Sequence, residues 1–266
     1  MNAIIGIPLE HSMSPVLHNE MYRLLDIETE LIKDEYKDIT SLVDRIKNNP
    51  YDLTAVTMPY KESIISLLDE VDAEAREIGS VNTVVNKNIV LKGYNTDVYG
   101  IEYALRDTEL KDKNILIIGA GGVARTVMYV VNKLGGNILC VNRTKEKAEK
   151  LVEKFNGKVV ELENIKPEDI DVIINTTSIG MYPNIDESPV PKELLRSNQT
   201  VFDIVYNPVE TKLLQHAKDI GAKTISGLDM FIAQGVKQVE LWQGVTIHTE
   251  KYIDQLRVLL INKIKS

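Results

Sequence analysis

The chain of 266 residues has only one cysteine, Cys140, so no intrachain disulfide can form. Its place in an apolar run fits a reducing compartment, and a cytoplasmic protein is expected. No apolar run approaches the roughly 20 residues that a bilayer-spanning helix needs, so no membrane segment is expected. Met1-Asn2-Ala3 leads directly into an apolar segment without a basic stretch, which predicts no signal peptide. Positive charge is in deficit. At a net charge of −8 nothing balances phosphate repulsion over a broad surface, and nucleic acid is not expected as a partner. The four histidines, His11, His18, His216 and His248, share no metal-ligand spacing, and with one cysteine no metal site is expected. Internal repeats and low-complexity segments are absent. What is present, 44% apolar and 26% charged residues, is the composition of a globular chain with one large or two modest domains.

The most informative stretch runs from residue 114 to residue 144. An apolar run, Ile115-Leu116-Ile117-Ile118, meets a glycine-rich turn, Gly119-Ala120-Gly121-Gly122-Val123-Ala124. A helical pattern to Leu134 and a second apolar run over residues 137–141 follow. This is the first half of a βαβ dinucleotide-binding unit. Gly119 permits the tight turn, Gly121 lets the backbone approach a pyrophosphate, and Ala124 is small enough for close packing of helix on strand. The helix N-terminus then offers free N–H groups and the positive end of its dipole to phosphates. Units of this kind that bind NAD place an acid roughly 20 residues past the glycines, to hold a ribose hydroxyl. Here the position holds Asn142-Arg143-Thr144, with Lys145 and Lys147 beyond and no acid before Glu146. A guanidinium and a hydroxyl suit a 2′-phosphate, whereas an acid would repel it. These cations could simply start a solvated helix, but cations oppose the dipole at a helix N-terminus, so a phosphate nearby is the better account. The expected cofactor is NADP(H).

Ahead of this unit, short apolar strands alternate with helical patterns. Strands are expected over residues 3–7, 30–36 and 53–58. Helices are expected from Ser14, over residues 39–47 with Leu42, Val43 and Ile46 inward, and over residues 63–68. A hairpin over residues 82–92 should turn around Lys87-Asn88. Ser14 reads as an N-cap followed by Pro15 at the first helical position. Beyond Thr144, strands are expected over residues 158–162, 172–175, 200–205 and 223–226, then two helices over residues 230–243 and 249–263. The second of these has no partner strand and should pack back on the first domain.

Several polar side chains of the first part fall at strand ends or turns, where α/β folds place ligands: Ser12, Ser14, Thr57, Lys61, Asn82 and Asp97. Paired hydroxyls suit a carboxylate, and a lysine beside an aspartate suits proton transfer to a hydroxyl or carbonyl oxygen. Singly, each has a bland role: Lys61 as a surface lysine, Asp97 and Ser14 as helix caps, Asn82 as a turn former. Their joint occurrence with a nicotinamide-type fold favours chemistry.

The ordered motifs resemble the shikimate dehydrogenase family, NADP-dependent enzymes that reduce 3-dehydroshikimate to shikimate. Gly6-Ile7-Pro8, His11-Ser12-Met13-Ser14-Pro15 and His18-Asn19 are similar to its N-terminal signature. Val56-Thr57-Met58-Pro59-Tyr60-Lys61 is similar to its catalytic-lysine motif. Gly79-Ser80-Val81-Asn82-Thr83, Gly93-Tyr94-Asn95-Thr96-Asp97 and the glycine loop follow in order. Asn175-Thr176-Thr177-Ser178-Ile179-Gly180-Met181, Asp203-Ile204-Val205-Tyr206-Asn207-Pro208 and Gly227, Met230, Gln234 complete the match.

The resemblance implies roles for these positions. Lys61 and Asp97 form the catalytic pair, and Lys61 protonates the carbonyl oxygen as hydride arrives. Ser12, Ser14 and Tyr206 hold the substrate carboxylate. Thr57, Asn82 and Gln234 bind its ring hydroxyls. Asn175, Thr176, Thr177, Ile204, Gly227 and Met230 line the nicotinamide side. Where the family usually carries Gly-x-Asn before Val-Thr, this chain has Leu53-Thr54-Ala55, so an amide is missing at Ala55.

The expected fold class is α/β with two α/β domains. Residues 1–98 with 245–266 would form a substrate-binding domain on a mostly parallel sheet. Residues 99–244 would form a Rossmann-type NADP-binding domain, with the active site in the interdomain cleft. The expected partner is a small-molecule substrate, and the expected state is monomer or homodimer. Two rival readings are a quinate/shikimate dehydrogenase using NAD or quinate, and a non-catalytic NADP(H)- or metabolite-binding paralogue.

Overall fold

A computed structural model describes residues 1–35, 38–48 and 51–265. The chain divides into two compact units, one comprising Met1–Tyr99 and Ile232–Lys263, the other Gly100–Phe231 and Ile264–Ser266.

The first unit opens with β1 (Asn2–Gly6), α1 (Ser14–Leu24), β2 (Leu31–Glu35), α2 (Ile39–Asn48) and β3 (Leu53–Val56). β1 pairs in parallel with β2 and with β3, as crossovers through helices require. A 3₁₀ turn at Ser63–Leu67 leads to β4 (Glu70–Val71), α3 (Ala73–Ile78), β5 (Thr83–Lys87), β6 (Val90–Tyr94) and α4 (Asp97–Leu105). The sheet order is β2-β1-β3-β5-β6-β4, and β5 runs antiparallel to both of its neighbours. Its core gathers Ala3, Ile5, Val56, Ile64, Val84 and Leu91, all nearly inaccessible to solvent.

Several local features differ from the sequence reading. The helix expected over residues 63–68 is a 3₁₀ turn, consistent with the β-branched pair Ile64-Ile65, which disfavours a regular helix. The hairpin turns one residue later than expected. Asn88 and Ile89 both take positive φ (54° and 69°), as a type I′ turn demands, and Asn86 Oδ1 accepts the Ile89 N–H at 3.1 Å. Ser14 is not the N-cap of α1: the helix already includes it, and Met13 occupies the cap position without a side-chain bond. The strand expected over residues 30–36 covers Leu31–Glu35, and Tyr36 lies outside the described residues, as does the side chain of Leu42. α3 was not foreseen, although Asp72 accepts from Glu74 N–H at its start and Gly79 closes it at φ 76°.

The second unit contains β7 (Asn114–Ile118), α5 (Gly122–Lys133), β8 (Asn137–Val141), α6 (Lys145–Lys154), β9 (Lys158–Val159), β10 (Val172–Asn175), β11 (Thr200–Asp203), α7 (Lys212–Asp219), β12 (Lys223–Ser226) and the start of α8 (Gly227–Gln243). All pairings are parallel in the order β12-β11-β10-β7-β8-β9, the doubly wound arrangement whose strand order reverses between β7 and β10. Central strands buried on both faces explain the unbroken apolar runs Ile115–Ile118 and Val172–Ile174. The strand expected over residues 158–162 is shorter, because its pairing with β8 stops at Val159. The strand expected to reach residue 205 ends at Asp203.

From Ile232 on, α8 belongs to the first unit, whereas the sequence reading placed that return at residue 245. The final helix, α9 (Ile253–Lys265), buries Ile253, Leu256 and Leu260, and through Lys263 it lies in the first unit. No described helix is long and apolar enough to cross a membrane.

Candidate active site

In the first unit the sequence-singled residues converge at the ends of β3, β5 and β6. Lys61 follows β3, and its Nζ donates to Asp97 Oδ2 at 2.7 Å. Asp97 opens α4 and is 5% exposed. Its second oxygen, Oδ1, accepts from Asn82 Nδ2 at 2.8 Å. The carboxylate is therefore gripped on both oxygens, and the ammonium is aimed by one of its three donors. Asn82 Nδ2 also reaches Thr96 Oγ1 at 3.0 Å and Gln234 Oε1 at 3.4 Å. Asn82 Oδ1 accepts from Thr96 N–H and from Thr83 Oγ1–H, each at 2.8 Å. These partners fix which way the amide faces.

Ser12 and Ser14 lie together at the start of α1, where Ser12 Oγ accepts the Ser14 N–H at 3.3 Å. Because Ser14 does not cap the helix, its hydroxyl is not committed to that role. His18, fully buried, donates from Nδ1 to the Ser14 carbonyl at 2.9 Å. Desolvation lowers its pKa to about 4, against the hydrogen bonds to Ser14 and Gln238, so the ring is neutral at pH 7. Gln238, one turn beyond Gln234 on α8, donates to the Asn82 carbonyl at 3.2 Å and to Thr83 Oγ1 at 3.0 Å. Thr57 sits just past β3, and among the described residues its side chain makes no hydrogen bond to this network.

In the second unit Gly119 takes φ +111°, and a Cβ there would stand 2.6 Å from Thr176 Oγ1 and 3.0 Å from Thr177 Cγ2. Cβ atoms placed on Gly121 and Gly122 would meet nothing within 4 Å, and Gly121 caps α5 without any side-chain bond. The turn is thus glycine-lined for two reasons: strain and crowding at Gly119, open ground before a helix N-terminus at Gly121 and Gly122. Open ground and uncapped N–H groups suit a pyrophosphate. Ala120 and Val123 are half-buried in the turn, and Ala124 is fully buried under it.

After β8, Asn142 Nδ2 donates to the Thr144 carbonyl at 2.7 Å, while Arg143, Thr144 and Lys147 are exposed around the start of α6. Across the switch point, Asn175 ends β10 and Thr176 Oγ1 donates to the Ile118 carbonyl at 2.6 Å. Ile204 N–H donates to the Asn175 carbonyl at 3.1 Å. Gly227 lies against Ile204, whose carbonyl oxygen would be 2.1 Å from an added Cβ. Tyr206 stacks on Phe231 with ring centroids 4.3 Å apart, and Met230 is buried at the start of α8. Asp203, wholly buried at the end of β11, has its carboxyl pushed up to about 6 by burial, against hydrogen bonds from Thr211, Val205 and Asn175. Among the described residues no group of three His, Cys, Asp or Glu is arranged to hold a metal.

A family model described as the shikimate dehydrogenase substrate binding domain matches residues 4–84, and one described as shikimate / quinate 5-dehydrogenase matches residues 102–227. The shikimate dehydrogenase (NADP(+)) of Methanocaldococcus jannaschii is 41% identical, over 98% of this chain and 96% of that protein. The chain belongs to the shikimate dehydrogenase family. A crystal structure of a shikimate dehydrogenase in complex with NADP+ superposes with a TM-score of 0.91 at 40% identity, covering 99% of this chain and 95% of the other. Shikimate 5-dehydrogenase of Thermus thermophilus, solved with NADP(H) and shikimate, gives 0.88 at 31% identity, covering 97% and 100%.

Ala55 is the position at which the sequence resemblance implies an asparagine. It lies in β3, 4% exposed, between Ile4 and Thr83 on the neighbouring strands. Thr83, Thr96, His18 and Asp203 had a place in the sequence motifs but no role at the site, and the sequence pointed to neither Gln238 nor Thr211. A usable signal existed for Gln238: it follows Gln234 by one helical turn and so shares its face. Asp203 stood inside a quoted motif, but nothing in the sequence shows that its side chain is buried.

Proposed function

We propose that the protein catalyses the reversible reduction of 3-dehydroshikimate to shikimate with NADPH, a step of aromatic amino acid and chorismate biosynthesis. Lys61 held at 2.7 Å by a buried Asp97 carries this reading, because a positioned ammonium beside an orienting carboxylate is the machinery that protonates a carbonyl oxygen. NADPH, when bound, supplies the hydride to the carbonyl carbon. Lys61 Nζ delivers a proton to the carbonyl oxygen in the reduction and withdraws one from the hydroxyl in the reverse direction. Asp97 keeps the ammonium aimed and accepts a hydrogen bond from a neighbouring substrate hydroxyl. The Ser12, Ser14 and Tyr206 hydroxyls hold the carboxylate, and Thr57, Asn82 and Gln234 take the ring hydroxyls.

The glycine loop Gly119 to Ala124 receives the pyrophosphate. Asn142, Arg143, Thr144 and Lys147 receive the 2′-phosphate, and the absence of an acid between Val141 and Lys145 leaves nothing to repel it. Asn175, Thr176, Thr177, Ile204, Gly227 and Met230 bound the nicotinamide side. Accordingly the unit holding residues 1–99 binds the substrate and the unit holding residues 100–231 binds NADP(H). The protein acts in the cytoplasm as a monomer or homodimer.

The test is NADPH formation by the purified protein given shikimate and NADP⁺, beside NAD⁺ and quinate. Turnover with shikimate and NADP⁺ that exceeds every other pairing is the expected result. NADP⁺ binding without turnover would instead identify a sensor.

Ala55 favours one variation on this reading, a site less selective for the substrate hydroxyls. An amide hydrogen bond of ordinary strength contributes about 0.5–1.5 kcal/mol. Ala55→Asn is therefore expected to lower KM for shikimate by about two- to tenfold with kcat little changed. Unchanged steady-state kinetics in that variant would show that the site does without the amide.

A further inference from the structure

We propose that Asp203 is a positioning residue that locks the nicotinamide-side loop of the cofactor site and ties it to the turn bearing Tyr206. This rests on the cofactor reading given above and goes beyond it, since Asp203 itself meets neither cofactor nor substrate.

A carboxylate only accepts hydrogen bonds, so whatever faces it must donate. Oδ1 accepts from Asn175 Nδ2 at 2.9 Å and from Val205 N–H at 3.1 Å, while Oδ2 accepts from Thr211 Oγ1 at 2.7 Å. The first bond decides the orientation of the Asn175 amide. With Nδ2 turned to Asp203 and to the Ile179 carbonyl at 3.3 Å, Oδ1 is left to accept from Thr177 N–H at 3.0 Å and Thr177 Oγ1 at 2.7 Å. Thr177 Oγ1 in turn accepts the Ile179 N–H at 3.2 Å. Every hydrogen-bonding atom of the Asn175 side chain is thereby engaged in folding the segment 175–179, and a flipped amide would break each of those bonds.

That segment bears directly on the glycine turn. Thr176 Oγ1 and Thr177 Cγ2 are the atoms nearest to a Cβ on Gly119. On the other side, the Val205 and Thr211 bonds bracket residues 205–211, which carry Tyr206. Thr211 also caps α7, its Oγ1 accepting the Leu214 N–H at 3.3 Å. The charged side chains of the adjoining segments include Glu210, Lys218 and Lys223. Lys218 pairs with Glu210, Lys223 donates to the Asp107 backbone carbonyl and to Thr108 Oγ1, and none of the three is among the groups that act on Asp203. A buried carboxylate with three neutral donors and no cation is costly to the fold, since burial disfavours its charged form. Its geometry is that of a clamp on two functional segments.

The experiment compares Asp203→Ala with Asp203→Asn by NADPH fluorescence titration, with the native protein alongside. Alanine leaves the Asn175 amide without its orienting acceptor, and the NADPH dissociation constant should rise about tenfold. At saturating cofactor kcat should stay within about twofold, because the loop is refolded by the bound cofactor and KM carries the loss. Asparagine keeps an acceptor towards Asn175 and Val205 and can donate to Thr211, so affinity should return to near the native value. Asp203→Ser, whose hydroxyl stops short of Asn175, carries the same expectation as alanine should the alanine variant fail to fold. Native-like NADPH affinity in Asp203→Ala or Asp203→Ser overturns the proposal. A native protein that binds no NADPH overturns the cofactor reading and the proposal with it.

Discussion

Lys61→Ala is expected to bind NADPH as the native protein does and to turn over shikimate about 10²–10⁴-fold more slowly, the range that a positioned acid or base contributes. The expectation follows from what surrounds the ammonium. Asp97 takes one of its donors at 2.7 Å, and Asn82 holds the other carboxylate oxygen at 2.8 Å, so the lysine is restrained before any ligand arrives. At 14% side-chain exposure the ammonium is screened from most solvent, and no other cation contacts Asp97 among the described residues. On the proposed function, removing it would leave the substrate oxygen without a donor when negative charge develops on it, while the residues proposed to hold the cofactor are untouched. The effect should therefore fall on kcat rather than on NADPH affinity. A Lys61→Ala variant retaining more than about a tenth of native kcat would assign the proton to another group. Since the substitution also strips Asp97 of its partner, the unfolding midpoint should be recorded with the kinetics. A lowered midpoint with native kcat would mean that the pair serves the fold alone.

What could be read from the sequence and what could not separates along physical lines. The β7–α5–β8 unit was legible because three independent periodicities coincide: a two-sided apolar strand, a glycine turn and an amphipathic helix. The doubly wound order of the second sheet follows from the same alternation. The candidate residues at strand ends were legible as types, and the structure places Lys61, Asn82 and Asp97 within one hydrogen-bonded group, joined by Gln234, which only the family resemblance had pointed to. Illegible were features set by cap and turn geometry at single residues. Ser14-Pro15 has the composition of a cap, yet the helix takes in Ser14 and leaves Met13 at the cap. Asn88-Ile89 turns the hairpin although a β-branched residue is disfavoured at positive φ, because the pairing of Asn86 with Leu91 and Lys87 with Val90 fixes the register. The buried partner Asp203 was equally hidden, since its meaning lies in a contact made across the fold with Asn175, whereas Gln238, which reaches Thr83, could be suspected only from its place one turn past Gln234.

Gly119 and Gly121 of the dinucleotide turn should differ in how the same substitution affects stability, and the contrast separates strain in the protein from space reserved for a ligand. Gly119→Ala forces an L residue to φ +111° and drives its Cβ to 2.6 Å from Thr176 Oγ1. Thr176 has little freedom to retreat, because its hydroxyl is held at 2.6 Å by the Ile118 carbonyl and its N–H donates to that same carbonyl at 2.9 Å. A conformation of this kind costs of order 1–3 kcal/mol before the clash is counted. The unfolding midpoint of Gly119→Ala should drop by several degrees, and the displaced turn should weaken NADPH binding by about a hundredfold. Gly121, by contrast, sits at φ −89° with nothing within 4 Å of an added Cβ. Gly121→Ala should therefore fold with a native midpoint. If a pyrophosphate approaches the backbone there, the added methyl obstructs it and NADPH affinity should fall by about tenfold or more without any loss of stability. Calorimetry on the two cofactor-free variants, beside NADPH titrations, checks both halves. Native affinity in Gly121→Ala would place the pyrophosphate away from this turn, whereas native stability in Gly119→Ala would mean that the turn tolerates a side chain at positive φ.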